Sequence, residues 1–182
     1  MATRLEQDTL GERAVPAEAY FGIHTLRAME NFPISGLRAH PALIVATAQV
    51  KLAAAQANVA LGRLNPTVSN AIAAAAREVI GGRWHDQFVV DVYQAGAGTS
   101  HNMNANEVLA NRALELLGEP RGRYAAVHPN DHVNMGQSTN DVFPTAMRLA
   151  VLARMHSMLQ ALEGLENALG ARARLFDGVI KA

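Results

Sequence analysis

Two polar runs concentrate the side chains that could do chemistry: GAGTSHNMNANEV at 96–108 and HPNDHVNMGQSTND from His128 to Asp141. Each leads into an apolar helical pattern, and two such runs converging would make one site. In the first, Gly96 and Gly98 allow a tight turn and close approach to a ligand, while Thr99 and Ser100 supply hydroxyl donors without bulk. The same composition also suits an ordinary helix entry. In the second, Ser138, Thr139 and Asn140 suit the start of a helix. Their hydroxyls, amide and neighbouring N–H groups equally suit a carboxylate. Capping and binding are compatible, because the positive end of the helix dipole favours an anion. His128, Asp131 and His132 flank a Pro-Asn-Asp turn, a pattern that orients its own loop more often than it binds a metal, and no metal site is assigned. Neither a phosphate-binding loop, a dinucleotide glycine fingerprint nor a nucleophile elbow occurs, so nucleotide and acyl chemistry lose their main support.

The elements that must position these runs follow from composition and periodicity. At 182 residues the chain can build one domain with a real core, or a little more. Sixteen basic residues balance sixteen acidic ones, so no net field favours nucleic acid or an anionic membrane, and the expected partner is a small molecule recognised locally. Cysteine is absent, which excludes disulfides, thiolate zinc sites and cysteine nucleophiles. Charges interrupt the N-terminal region where a secretory signal needs an apolar stretch, and no apolar run is read as membrane-spanning; the expectation is a soluble, cytoplasmic chain.

The opening, up to about Gly36, mixes proline, glycine, aromatics and charges without a lasting period, which predicts short strands and loops. Pro41 opens a helix expected to reach Leu61, and Asn65 with Pro66 reads as the cap and first position of the next. FVVDVYQ at 88–94 reads as a short extended piece. Asn104 and Glu107 have the spacing of a capping box for a helix ending at Gly118. From Asp141 to Phe176 only Pro144 interrupts a helical reading, and it falls within the first turn of that span. Such a helix would be about 50 Å long, well beyond the usual globular length. Val151, Met155, Met158, Leu162, Leu165 and Leu169 alternate threes and fours along it, a seam for neighbouring helices. Partners for that seam are expected from other subunits or from further sequence.

GAGTSHNMNANEVLANRALELLG followed by HPNDHVNMGQSTNDVFPTAMRLA resembles the two N-terminal signature regions of the aspartase/fumarase superfamily. The resemblance extends to DTLGERAVPAEAYFGIHTLRAMENFPISG and to GRWHDQFVVDVYQ, and so covers nearly the whole chain. Ser100 after Thr99, and Thr139 after Ser138, favour the aspartase branch over class II fumarases; Met135 stands where a lysine is often found. The resemblance implies a mainly α fold: a lyase N-terminal domain over residues 1–140 with short strands near its start, then at 141–182 the first long helix of a central bundle. It implies reversible elimination of ammonia from L-aspartate to fumarate through an aci-carboxylate, with no cofactor, in a cytoplasmic homotetramer. Thr99, Ser138 and Thr139 would hold the carboxylate that becomes the aci-carboxylate, Ser100 would lie beside them, and Asn140 would position the departing amino group. His128, Asn130 and Asp131 match a loop that forms a secondary anion site outside the catalytic centre. The superfamily's proton-abstracting serine lies in a stretch of the type Gly-Ser-Ser-x-Met-Pro, which these 182 residues do not contain, so no residue here is assigned as the base and the 182 residues alone are expected to be inactive. The alternatives are a class II fumarase or another fumarate-releasing member, and, in a different class, a non-catalytic helical oligomerisation module.

Overall fold

The structure, a computed structural model, describes residues 2–180. The chain opens with an antiparallel hairpin of β1 (Thr3–Asp8) and β2 (Gly11–Pro16), Asp8 facing Gly11 across a tight turn in which Gly11 takes φ +105°. The hairpin is anchored by Arg4, whose guanidinium donates to the carbonyls of Pro16 (2.9 Å), Ala19 (2.7 Å) and Phe21 (2.8 Å) and pairs with Glu6 at 2.8 Å. Five α-helices follow: α1 (Ile23–Asn31), α2 (Pro41–Ala60), α3 (Pro66–Ile80), α4 (Thr99–Leu116) and α5 (Thr139–Leu175). The mainly helical architecture with short N-terminal strands agrees with the sequence reading.

Helices α2 and α3 start as their sequences dictate. His40 Nδ1 accepts from Ala42 N at 3.1 Å, Asn65 Oδ1 accepts from Thr67 N at 2.8 Å, and a proline occupies the first helical position in each. The core lies between α3 and α4, where Ile72, Val79, Leu109 and Leu114 are fully buried. Each contributes roughly 1.5–3 kcal/mol by burial. Alanines at 71, 73, 75, 76, 110 and 113 let these helices approach closely.

Four expectations need correction. Helix α1 is absent from the sequence reading, because its cap position is Gly22, with no capping side chain; Glu107, distant in sequence, accepts from Gly22 N and His24 N, each at 2.9 Å, and from Thr25 N at 3.1 Å. For the same reason the capping box at Asn104 and Glu107 does not exist: both are fully buried inside α4, which starts five residues earlier. The 88–94 stretch forms only a single bridge, Arg38 to Asp91. Asp91 turns inward, accepting from Ser35 N, Gly36 N and Tyr93 N at 2.7–2.8 Å; burial pushes its carboxyl up, but these bonds outweigh it and hold it at about 2. Finally, α2 is long and apolar enough, by length and composition, to cross a membrane. It instead packs between α3 and α5 as a core helix, with Lys51 buried at its middle.

The long helix runs as the spacing predicts, but it begins at Thr139, which moves Pro144 beyond the first turn. Beyond Ala146 it is largely uncovered: Val151 and Leu169 are each 61 % exposed and Leu162 52 %. An apolar stripe of this length in water drives association. The 182-residue chain by itself is therefore expected to show a light-scattering mass above 19.5 kDa, and a well-behaved monomer at that mass would remove the argument.

Candidate functional site

The N-termini of α4 and α5 meet. Gly98 immediately precedes α4 in a left-handed conformation (φ +72°), and the ring of Phe143, one turn into α5, fills the space where a side chain at Gly98 would stand. The same ring lies edge-on to His101, with centroids 5.8 Å apart. The turn before α4 is tighter than its glycines alone suggest: Ala97 also has positive φ (+59°), whereas Gly96 does not. A left-handed alanine costs on the order of 1 kcal/mol and persists only where its surroundings hold it. No cap side chain opens α4; Gln94 Oε1 accepts from His101 N at 2.6 Å instead.

The hydroxyls differ in how they are set. Thr139 Oγ1 accepts from Asn102 Nδ2 at 3.0 Å, and Ser138 Oγ accepts from Asn140 N at 3.3 Å as the cap of α5. Each hydroxyl therefore keeps its proton to give to a ligand. Thr99 is exposed, and its hydroxyl donates to Gly96 O at 3.1 Å, so a carboxylate must turn it about χ1 to receive it. Ser100 is buried and lines a cleft of about 240 Å³ with Thr99, Thr9, His24, Arg27 and Asn31. The Arg27 charge is committed to Asp8 through two bonds of 2.7 and 2.8 Å, which hold the Asp8 carboxyl below its usual range. Asn140 is exposed at the start of α5.

The asparagines of the first run are mostly structural stitches. Asn104 accepts from Val89 N and donates to Gln87 O, both at 2.9 Å, while Asn102 alone crosses to α5. Beneath them lie two residues that the sequence reading did not single out. Burial, helped by the charge of Lys51, lowers His101 to about 4. The Thr47 hydroxyl spends its proton on Leu43 O, so His101 Nε2 carries the hydrogen and donates to Thr47 Oγ1 at 3.0 Å. Lys51 is fully buried and donates to Asn134 Oδ1 (2.7 Å) and Gln137 Oε1 (3.0 Å). An apolar helical pattern with one lysine gave no signal that its amine points inward.

The 128–134 loop is held by its own histidines. His128 Nδ1 accepts from Asn130 N (3.2 Å) and Asp131 N (3.1 Å), and His132 Nδ1 accepts from His128 N at 2.9 Å. The two N–H groups that an anion at His128, Asn130 and Asp131 would take are thus directed at the imidazole.

A model of the family described as Lyase matches residues 11–182. The chain is 53 % identical over 178 residues to an aspartate ammonia-lyase of Bacillus sp, covering 98 % of this chain and 38 % of that relative. It is 57 % identical over 179 residues to a class II fumarate hydratase of Halobacterium salinarum, covering 98 % and 38 %. Among solved structures, the native fumarate lyase:delta crystallin of Brucella melitensis superposes with a TM-score of 0.91 at 57 % identity, over 99 % of this chain and 42 % of that one. The chain thus spans about four tenths of the length of the relatives it matches.

Proposed function

This chain belongs to the lyase family, within the aspartase/fumarase superfamily, and from that premise we propose that its residues form the N-terminal part of an enzyme that reversibly removes ammonia from L-aspartate to give fumarate. The observation that carries the reading is the meeting of two helix N-termini with the Thr139 and Ser138 hydroxyl protons free to donate. Taking a proton from the carbon beside a carboxylate puts a second negative charge on that carboxylate, so the site must offer preorganised neutral donors aimed at its oxygens. Thr139, Ser138 and, after rotation, Thr99 supply them, the α5 dipole adds to them, and Ser100 lies beside them. Asn140 positions the amino group. The base comes from outside these 182 residues, and the full enzyme works as a homotetramer.

The choice of aspartate over malate rests on Ser100 and Thr139; the 57 % identity to a relative named as a fumarate hydratase favours the second reading, hydration of fumarate. Assaying both reactions with a full-length protein carrying these residues decides between them: ammonia release from L-aspartate should far exceed malate formation, and the reverse order would overturn the choice. In that protein Thr99→Ala and Ser138→Ala should each lower turnover by about a hundredfold. Near-normal rates in folded variants would leave these residues as helix caps only.

A further inference from the structure

Lys51 is the least explained group in the molecule. It is fully buried in the middle of α2, whose buried face is mostly apolar, and among the described residues no carboxylate pairs with it. Burial alone lowers its ammonium from 10.5 to about 7. A lysine so placed is costly to fold around, and a methionine would fill the same space without that cost.

What Lys51 does touch is the frame of the second polar run. Its nitrogen, protonated or not, donates to Asn134 Oδ1 and Gln137 Oε1. Asn134 is held in that orientation because its own Nδ2 donates to Gln137 O at 3.2 Å. The same Asn134 oxygen accepts from Asn102 Nδ2 at 3.2 Å, and Asn102 Nδ2 also donates to Thr139 Oγ1. Turning the Asn102 amide over would set its oxygen against the Asn134 oxygen. It would also leave the NH2 group where Asn102 Oδ1 now lies, buried and without a partner. Each bond in the series therefore has one permitted direction, fixed at its root by an amine that has two N–H donors even when neutral and faces two amide oxygens, with the Asn134 amide held against Gln137 O.

We propose that Lys51 is a positioning residue for carboxylate recognition: through Asn134 and Asn102 it dictates that Thr139 Oγ1 accepts from the protein, leaving the Thr139 proton to be donated to the substrate. This rests on the carboxylate-binding reading of Thr139 given above. Lys51 touches no substrate, and its effect passes through one hydroxyl. A lysine that merely holds the fold would not have this dependence.

The test is a double-mutant cycle in a full-length protein carrying these residues, reading kcat/KM for its substrate at pH 8. Thr139→Ala should lower kcat/KM about a hundredfold and Lys51→Met about ten- to a hundredfold. The double variant should fall no more than about threefold below Thr139→Ala, because the second loss has nothing left to act on. Losses that multiply across the cycle would overturn the relay. If Lys51→Met does not fold, Asn102→Asp serves instead. It keeps the shape, but its carboxylate can only accept and so draws the Thr139 proton inward. The relay requires it to lose at least about a hundredfold in kcat/KM while folded, and near-normal activity would overturn the proposal. Should the wild-type protein act on malate and not on aspartate, the aspartate reading falls, while the same cycle measured with malate still decides the role of Lys51.

Discussion

Replacing Glu107 by alanine is expected to cost about 3–5 kcal/mol, the range for removing one partner of a buried charged network, and to lower the thermal midpoint by roughly 10 °C. Glu107 is completely buried, and its two oxygens accept from the backbone of Gly22, His24 and Thr25 and from the Thr25 hydroxyl at 2.6 Å. It serves α1 as the cap that the local sequence lacks. Without it those N–H groups are left in the interior with no acceptor, and each costs about 1–3 kcal/mol. Glu107→Gln should lose less, since one oxygen still accepts, but its NH2 then faces donors. The hydrogen bond that His24 Nδ1 donates to Glu107 also raises the His24 pKa against the opposing effect of burial. A raised histidine contributes stability that is present below 6.5 and fades as pH climbs through the folded value, so the gap between wild type and Glu107→Ala should narrow somewhat above neutrality. Because His24 and Arg27 of α1 line the cleft with Ser100, kcat/KM should fall with stability. Thermal unfolding of the two proteins side by side checks the first effect; midpoints within a degree or two of each other would refute the capping role.

The Glu107 network also marks how far sequence reasoning reaches in this fold. Where an element carries its own start signal, as with His40-Pro41 and Asn65-Pro66, the expected and observed helices agree to about a residue. Where the signal is not a cap side chain at the helix start, the element is invisible or misplaced: α1 depends on Glu107, far away in sequence, and α4 on Gln94, five residues before its start. Glu107 itself was misread because a glutamate three residues after a small polar residue satisfies the local capping pattern equally well. At the candidate site, the residue types proposed to face a ligand were legible, since Thr99, Ser138 and Thr139 stand out as hydroxyls at helix starts. The residues behind them were not, because Lys51 and Asn102 reveal their role only through the direction of hydrogen bonds that join α2, α4 and α5. Legibility also ended at Gly96 and Ala97, where the turn puts its strain on the alanine and not on the first glycine.

Gly98 is where the fold and the site share one atom's worth of space, and Gly98→Ala is expected to destabilise by about 2–4 kcal/mol. One part is conformational: at φ +72° a Cβ costs on the order of 1 kcal/mol. The other is steric, since that Cβ would lie 2.3 Å from Phe143 Cγ and Cδ2 and 2.5 Å from Cδ1, and relieving such overpacking typically costs about 1–3 kcal/mol. The Phe143 ring packs against Gly98 and edge-on to the buried His101, so a side chain at Gly98 disturbs both contacts. Relief that moves the start of α5 away from the start of α4 separates Thr139 from Asn102. Gly98→Ala should therefore lose activity beyond its loss of stability, in an assay run well below the unfolding temperature. Adding Phe143→Leu opens the crowded space without changing φ, so the pair should recover the steric part of the loss and not the conformational part. Thermal unfolding of the two single variants and the double variant reads this directly. A double variant no more stable than the sum of its single losses would show that the ring and the glycine are not in contact, and the two helix starts would then have to be held together by something else.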